Sequence, residues 1–189
     1  MEQDEARALI QSAIGQRGTV WADLGAGTGT FTRALASLLG PDGVVIAVDR
    51  DARALRALER EAASAAGDAQ IRTVVGDFTQ PVDLPRLDGV LLANALHFVP
   101  YDDQVRVLRD IARHVTSGGT VAIVEYERQQ ANPYVPYPIR FDALVVLAER
   151  AGLGPPRLLA TRPSRYQGSI YAASLGVQHE AVTAARPDA

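Results

Sequence analysis

The chain has 189 residues, 22 acidic against 19 basic side chains, a formal net charge of −3 at pH 7 and 47% hydrophobic residues. That suits one domain with its own core and gives no basic balance toward nucleic acid or an anionic membrane surface. There is no cysteine, which excludes disulfides, zinc–thiolate sites and cysteine nucleophiles and suits a reducing, cytoplasmic setting.

The opening, MEQDEARALIQSAI, is acidic and lacks the cationic and apolar regions of a signal peptide. Ala6, Leu9, Ile10, Ala13 and Ile14 share one helical face. They predict an amphipathic helix to about Gln16, within an N-terminal segment of residues 1–18. Val20–Leu24 reads as a strand, followed by three alternate glycines, Gly25, Gly27 and Gly29. Phe31, Leu35 and Leu38 then repeat at helical spacing until Gly40-Pro41. Val44–Val48 is a continuous apolar run, the pattern of a strand buried on both faces. Leu55, Leu58, Ala62 and Ala65 predict the next helix, Ile71–Val75 a third strand and Gly89–Ala93 a fourth. The apolar stretch from Val90 to Val99 is too short and interrupted to span a bilayer, so no membrane association is expected. Val105, Leu108, Ile111 and Val115 mark a helix ended by Ser117-Gly118-Gly119, and Thr120–Glu125 a fifth strand.

A proline-rich loop follows, ERQQANPYVPYP, and then a helix carried by Phe141, Leu144, Val145 and Ala148 that ends near Gly152. Alternating strands and helices imply a parallel sheet with helices on both faces. The end breaks that rhythm. Arg157–Thr161 and Ile170–Ser174 are separated only by RPSRYQGS, too short for a crossover helix, so the pair should be an antiparallel hairpin. One domain is expected over residues 1–176, with a polar, disordered tail at 177–189.

The glycine turn decides the class of ligand. A dinucleotide fingerprint, G-x-G-x-x-G, would need glycine at 30 or 32, where Thr30 and Thr32 stand. A P-loop needs a lysine, and the chain has none. The observed D-x-G-x-G-x-G lets backbone pass close to a ligand. Its acid, Asp23, closes the first strand, at the edge where open α/β sheets bind ligands. An acid there suits an ammonium group and repels a pyrophosphate. Asp49 closes the second strand, where a carboxylate accepts from both ribose hydroxyls; its other reading is a helix cap, a role assigned instead to Asp51. Asp77 and Phe78 follow the third strand and suit an adenine amino group and ring, with a simple turn as the other reading of Asp77. Together these residues describe a pocket for a positively charged adenosine ligand.

DLGAGTG, AVD, GDF, LLANALHF and SGGTVAIVEY, in that order and with the closing hairpin, resemble the successive motifs of class I S-adenosylmethionine-dependent methyltransferases. The resemblance covers roughly residues 18 to 175. It implies a Rossmann-like, doubly wound α/β fold with a seven-stranded sheet of order 3-2-1-4-5-7-6, the last strand antiparallel. It implies S-adenosylmethionine as cofactor and S-adenosylhomocysteine as product. It implies that Asp23, Gly25, Ala26, Gly27, Thr28 and Gly29 line the methionine part. Asp49 then holds the ribose, Arg50 lies beside the adenine, Asp77 and Phe78 bind adenine, and Asn94 lies near the reaction centre.

His97 suits a general base, having an unperturbed pKa near neutrality, and equally a histidine packed under its loop. His114 is expected near a helix C-terminus, serving its dipole, and His179 has no assigned role. No metal ligands are evident. The loop after strand five offers tyrosines held by prolines; Glu125, Tyr126, Tyr134, Tyr137 and Arg140 are the candidates for acceptor contact. Asn132-Pro133-Tyr134 resembles the motif of enzymes that methylate nucleobase or amide nitrogens, but that motif follows strand four, so the activity is not carried over. Arg157, Arg162 and Arg165 are read as solvated surface rather than a phosphate-binding face.

The acceptor is expected to be a small molecule, not nucleic acid. The pocket would be closed by the N-terminal helix or by a second copy of the chain, as a homodimer. Three other readings stand beside methyl transfer: a non-catalytic S-adenosylmethionine-binding module or partner subunit, an aminopropyl transferase, and an NAD-dependent reductase, the last opposed by Thr30 and the hairpin.

Overall fold

A computed structural model describes residues 1–15, 20–62, 67–164 and 168–179. Seven strands form one sheet: β1 (Val20–Leu24), β2 (Val44–Asp49), β3 (Gln70–Val75), β4 (Leu87–Ala93), β5 (Val115–Glu127), β6 (Arg157–Pro163) and β7 (Ser169–Gly176). Their order is β3-β2-β1-β4-β5-β7-β6. β7 pairs antiparallel with both β5 and β6, and the pairs from β3 through β5 are parallel. The order and the hairpin match the expectation from sequence.

Among the described residues five helices cover the sheet: α1 (Gln3–Ile10), α2 (Thr30–Leu39), α3 (Ala52–Ala62), α4 (Tyr101–Ala112) and α5 (Phe141–Ala151). Strand alternation sorts the core into two layers. Trp21, Val45, Leu91, Ala122, Val124 and Ile170 pack with α1 and α2 on one face. Ala22, Val90, Leu92, Val121, Ile123 and Tyr171 pack with α4 and α5 on the other. Trp21 is fully buried, and a Cβ at Gly89 of the neighbouring strand would stand 2.5 Å from its indole ring. Glycine at 89 is therefore what lets the largest side chain of this layer lie flat on the sheet.

Several boundaries differ from the sequence reading. The first helix stops at Ile10 and gives way to one 3₁₀ turn, Gln11–Ala13; Gln16 lies outside the described residues. Ser117-Gly118-Gly119 does not end a helix. It lies inside a 13-residue β5, at a register irregularity opposite Leu87–Gly89, with Gly118 at φ +83°. A left-handed glycine bends the strand without breaking it. α4 ends at Ala112, so His114 is in the turn beyond it, its carbonyl accepting the Leu87 N–H at 2.9 Å. Ala65 falls outside the described residues, as does the tail from Glu180 on. Residues 177–179, expected to open that tail, are packed: Val177 is buried and exchanges backbone hydrogen bonds with Gly118 and Gly119, and a ring nitrogen of His179 lies 2.7 Å from the Val115 carbonyl. Among the described residues no helix is long and apolar enough to cross a membrane, and no cluster of metal-ligating side chains occurs.

Candidate functional site

The site lies at the carboxyl ends of the parallel strands, where β1, β2, β3 and β4 each deliver one short loop. Asp23, one residue before the end of β1, lies buried on the α1/α2 face, and its carboxyl group accepts from the Thr32 hydroxyl of α2 at 2.6 Å. Burial, with Asp49 nearby, outweighs that hydrogen bond and pushes the carboxyl up to about 7.

The glycine turn follows. Gly25 (φ +80°) passes so close to the β4 loop that a Cβ there would stand 2.7 Å from that of Ala95. Gly29 (φ +86°) presses on α3, where a Cβ would collide with Leu58 Cδ1. Gly27 also has positive φ, and among the described residues a Cβ there would meet nothing within 4 Å. Two of the glycines are thus required by packing and the third faces open space.

Asp49 is tied into this turn. Its Oδ2 accepts the Gly27 N–H at 2.7 Å and its Oδ1 the Asp51 N–H at 2.8 Å. A carboxylate has about four acceptor positions, so two backbone donors fix its direction and leave capacity for hydroxyls. Asp51 accepts the Arg53 and Ala54 N–H groups at 2.8 and 3.3 Å, which caps α3. Asp77 accepts from the backbone and hydroxyl of Thr79 at 2.9 and 2.7 Å. That hydroxyl bond, with the Arg50 charge assisting, holds the Asp77 carboxyl below the usual carboxylate range.

Two adjoining cavities open over these loops. The first, about 300 Å³, is lined by Asp23, Gly25, Ala26, Thr28, Gly29 and Asn94. The second, about 340 Å³, is lined by Gly25, Asp49, Arg50, Asp77, Phe78 and Asn94. Gly25 and Asn94 belong to both. Gly27 lines neither, and meets the site through its N–H to Asp49. Asn94 has a left-handed backbone (φ 53°), and its Oδ1 is buried without a hydrogen-bond partner among the described residues.

The residues named for acceptor contact separate. Glu125 and Tyr126 are consecutive on β5, so they face opposite layers. Tyr126 turns to the α1/α2 side and lines the first cavity. Glu125 turns the other way, fully buried, and takes up His97. Its Oε2 is 2.6 Å from the His97 ring Nδ1 and its Oε1 accepts the His97 N–H at 3.1 Å. His97 is 1% exposed and lines neither cavity. Tyr134 is 81% exposed. Tyr137 packs edge-on against Tyr101, ring centroids 5.3 Å apart. Arg140 pairs with Glu127 and Asp142. Asn132 closes its own turn, its Oδ1 accepting the N–H groups of Tyr134 and Val135.

The far wall of the first cavity includes residues that the sequence does not place at the site: Glu5 of α1, Ile170 of β7 and Arg162 near the end of β6, which reads in sequence as solvated surface but is partly buried and paired with Glu5. Neither the glycine motif nor local periodicity points to them. Only the strand order brings them to the site.

A family model described as a methyltransferase domain matches residues 22–119, which carry the glycine turn, Asp49, Asp77 and Asn94. The chain belongs to the class I S-adenosylmethionine-dependent methyltransferases. A demethylmenaquinone methyltransferase of Shouchella clausii is 34% identical over 111 residues, covering 58% of this chain and 46% of that protein. A ribosomal RNA small subunit methyltransferase H of Desulfosudis oleivorans is 32% identical over 108 residues, covering 54% of this chain and 33% of that protein. The matches thus span less than half the length of these curated relatives. Among solved structures, a SAM-dependent methyltransferase from Aquifex aeolicus superposes with a TM-score of 0.71 at 15% identity, covering 92% of this chain and 89% of that one. At that identity the likeness speaks for the fold.

Proposed function

We propose that the chain transfers a methyl group from S-adenosylmethionine to a small-molecule acceptor, and that the acceptor enters the first cavity beside Tyr126. The observation that carries this reading is the pair of adjoining cavities that share Gly25 and Asn94. One has room and acceptors for an adenosine, the other has a buried acid for an ammonium group.

The side chains fit the cofactor. Gly27 leaves open space at the turn, Asp49 retains acceptor positions for ribose hydroxyls, and the orphaned Oδ1 of Asn94 lies between the two cavities. Phe78 and Asp77 suit the adenine ring and amino group, and Arg50 its edge. Asp23, with Ala26, Thr28 and Gly29, suits the amino-acid end; an ammonium beside Asp23 would favour its ionised form and draw its raised pKa down. Bound there, S-adenosylmethionine supplies a methyl group already activated on a sulfonium. What the chain contributes is alignment of acceptor and donor and exclusion of water. Tyr126 and Ile170 form an apolar wall toward which the acceptor's body packs.

His97 is the proposed base only for an acceptor that must lose a proton. Its burial and its bonds to Glu125 favour a positioning role: the pair ties the Asn94–Phe98 turn to β5 and so fixes Asn94. Tyr134, Tyr137 and Arg140 are proposed as outer contacts for a larger acceptor.

The test is methyl transfer from radiolabelled S-adenosylmethionine into cell extract separated into small-molecule and macromolecular fractions, with Asp49→Ala as control. Label in small molecules, lost in the variant, is the expected result. Label in RNA or protein would overturn the acceptor class. Cofactor binding with no label in any fraction would favour a non-catalytic binding module.

A further inference from the structure

The strand register places three side chains in one row on the α1/α2 face. Tyr126 of β5 pairs with Ile170 of β7, and Ile170 pairs with Arg162 of β6. All three line the first cavity. The row therefore runs from an aromatic residue through an aliphatic one to a cation, leading away from Asp23 and Asn94.

The cation is held in place. Glu5 accepts the Glu2 N–H through Oε2 at 3.0 Å, and through Oε1 it accepts from Arg162 Nη2 at 2.6 Å. The other guanidinium nitrogen, Nη1, is buried and has no hydrogen-bond partner among the described residues. A buried charged donor left unpaired is costly, and an anionic oxygen brought to it would recover that cost. The carboxylate of the cofactor's own amino-acid end could supply such an oxygen, but the sheet order argues against it. β6 is four strands away from β1, about 19 Å at roughly 4.8 Å per strand. The amino-acid end sits over β1 and the start of α2, whose first N–H groups can take a carboxylate.

We propose that Arg162 is the specificity-determining residue for an acceptor that carries a carboxylate or similar anion at one end and an apolar body at the other. The anion meets the guanidinium where Arg162 lines the cavity, a turn of the side chain bringing the sealed Nη1 to it; the body lies on Ile170 and Tyr126, and the methyl-accepting atom points back to Asn94. Glu5 holds the guanidinium in that orientation and partly neutralises it. This assignment rests on the chain being a methyltransferase with a small-molecule acceptor.

The experiment titrates a panel of small aromatic and aliphatic acids, each beside its uncharged amide, into the chain saturated with S-adenosylhomocysteine. It is repeated for Arg162→Gln and Glu5→Gln, with thermal melts on each. The expected result is a subset of acids binding about tenfold or more tighter than their amides. The preference disappears in Arg162→Gln, while S-adenosylhomocysteine affinity stays within about twofold. Glu5→Gln, which keeps an oxygen to accept from Nη2 but removes the neutralising charge, should strengthen acid binding. No acid outbinding its amide would overturn the proposal. So would weaker S-adenosylhomocysteine binding in Arg162→Gln, which would give the arginine to the cofactor. So would loss of acid binding in Glu5→Gln, which would make the pair structural. If the wild type fails to bind S-adenosylhomocysteine at all, the methyltransferase reading fails first, and this proposal with it.

Discussion

The two halves of the sheet edge are built by different means. From β3 to β4 the site is made of backbone: left-handed glycines, a left-handed Asn94, and carboxylates that hold N–H groups of their own loops. From β5 to β6 it is made of side chains that alternation and strand order bring together, with α1 laid over them. A backbone site tolerates few residue types and leaves a compact signature in sequence. A side-chain site can be built many ways, and one fold can carry many acceptors.

That contrast can be tested by the size of the responses. The largest belongs to Asp23. Its folded-state pKa of about 7, against an ordinary value of 3.8, means that the folded state holds the proton more tightly than the unfolded chain. Stability from this group is therefore full below about pH 4 and is lost as pH rises toward 7, by about 4 kcal/mol in all. Urea denaturation across that window should show the fall, and Asp23→Asn should flatten it. Calorimetry should also show release of up to about half a proton on cofactor binding near pH 7, absent in Asp23→Asn.

Next in size is Gly29→Ala, which forces a Cβ into Leu58 at a positive φ. A loss of about 3 kcal/mol is expected from overpacking plus backbone strain, read from the same denaturation curves. Glu125→Ala should cost about 2–3 kcal/mol, because it leaves buried His97 donors unpaired. Its effect on cofactor affinity should be secondary to its effect on stability, since neither residue lines a cavity. The smallest response should come from Tyr134→Ala. At 81% exposure it should change stability by less than about 0.5 kcal/mol and, for a small acceptor, leave turnover near wild type.

The β1–β4 half of the candidate site is legible in the sequence because its physics is local. Three alternate glycines with an acid before them, and acids closing two further strands, form a pattern that a plain strand-to-helix connection does not require. The antiparallel hairpin is legible too, since RPSRYQGS is too short to hold a crossover helix, whereas the strand order comes from the resemblance of the successive motifs to the methyltransferase family. What escapes the sequence is whatever depends on geometry across the sheet. Glu125 and Tyr126 look equivalent as neighbours in sequence, yet the two-residue period of a strand sends them to opposite layers. Arg162 reads as surface because its partner Glu5 lies 157 residues away. Ser117-Gly118-Gly119 reads as a helix stop because a bend in a long strand uses the same left-handed glycine.

The most direct test of the central claim is calorimetric titration of S-adenosylhomocysteine into the wild-type chain and into Asp49→Asn, with NAD in parallel. Saturable binding of S-adenosylhomocysteine is expected, weakened about tenfold or more in the variant, with no competition from NAD. Equal binding by both proteins, or displacement by NAD, would contradict that claim.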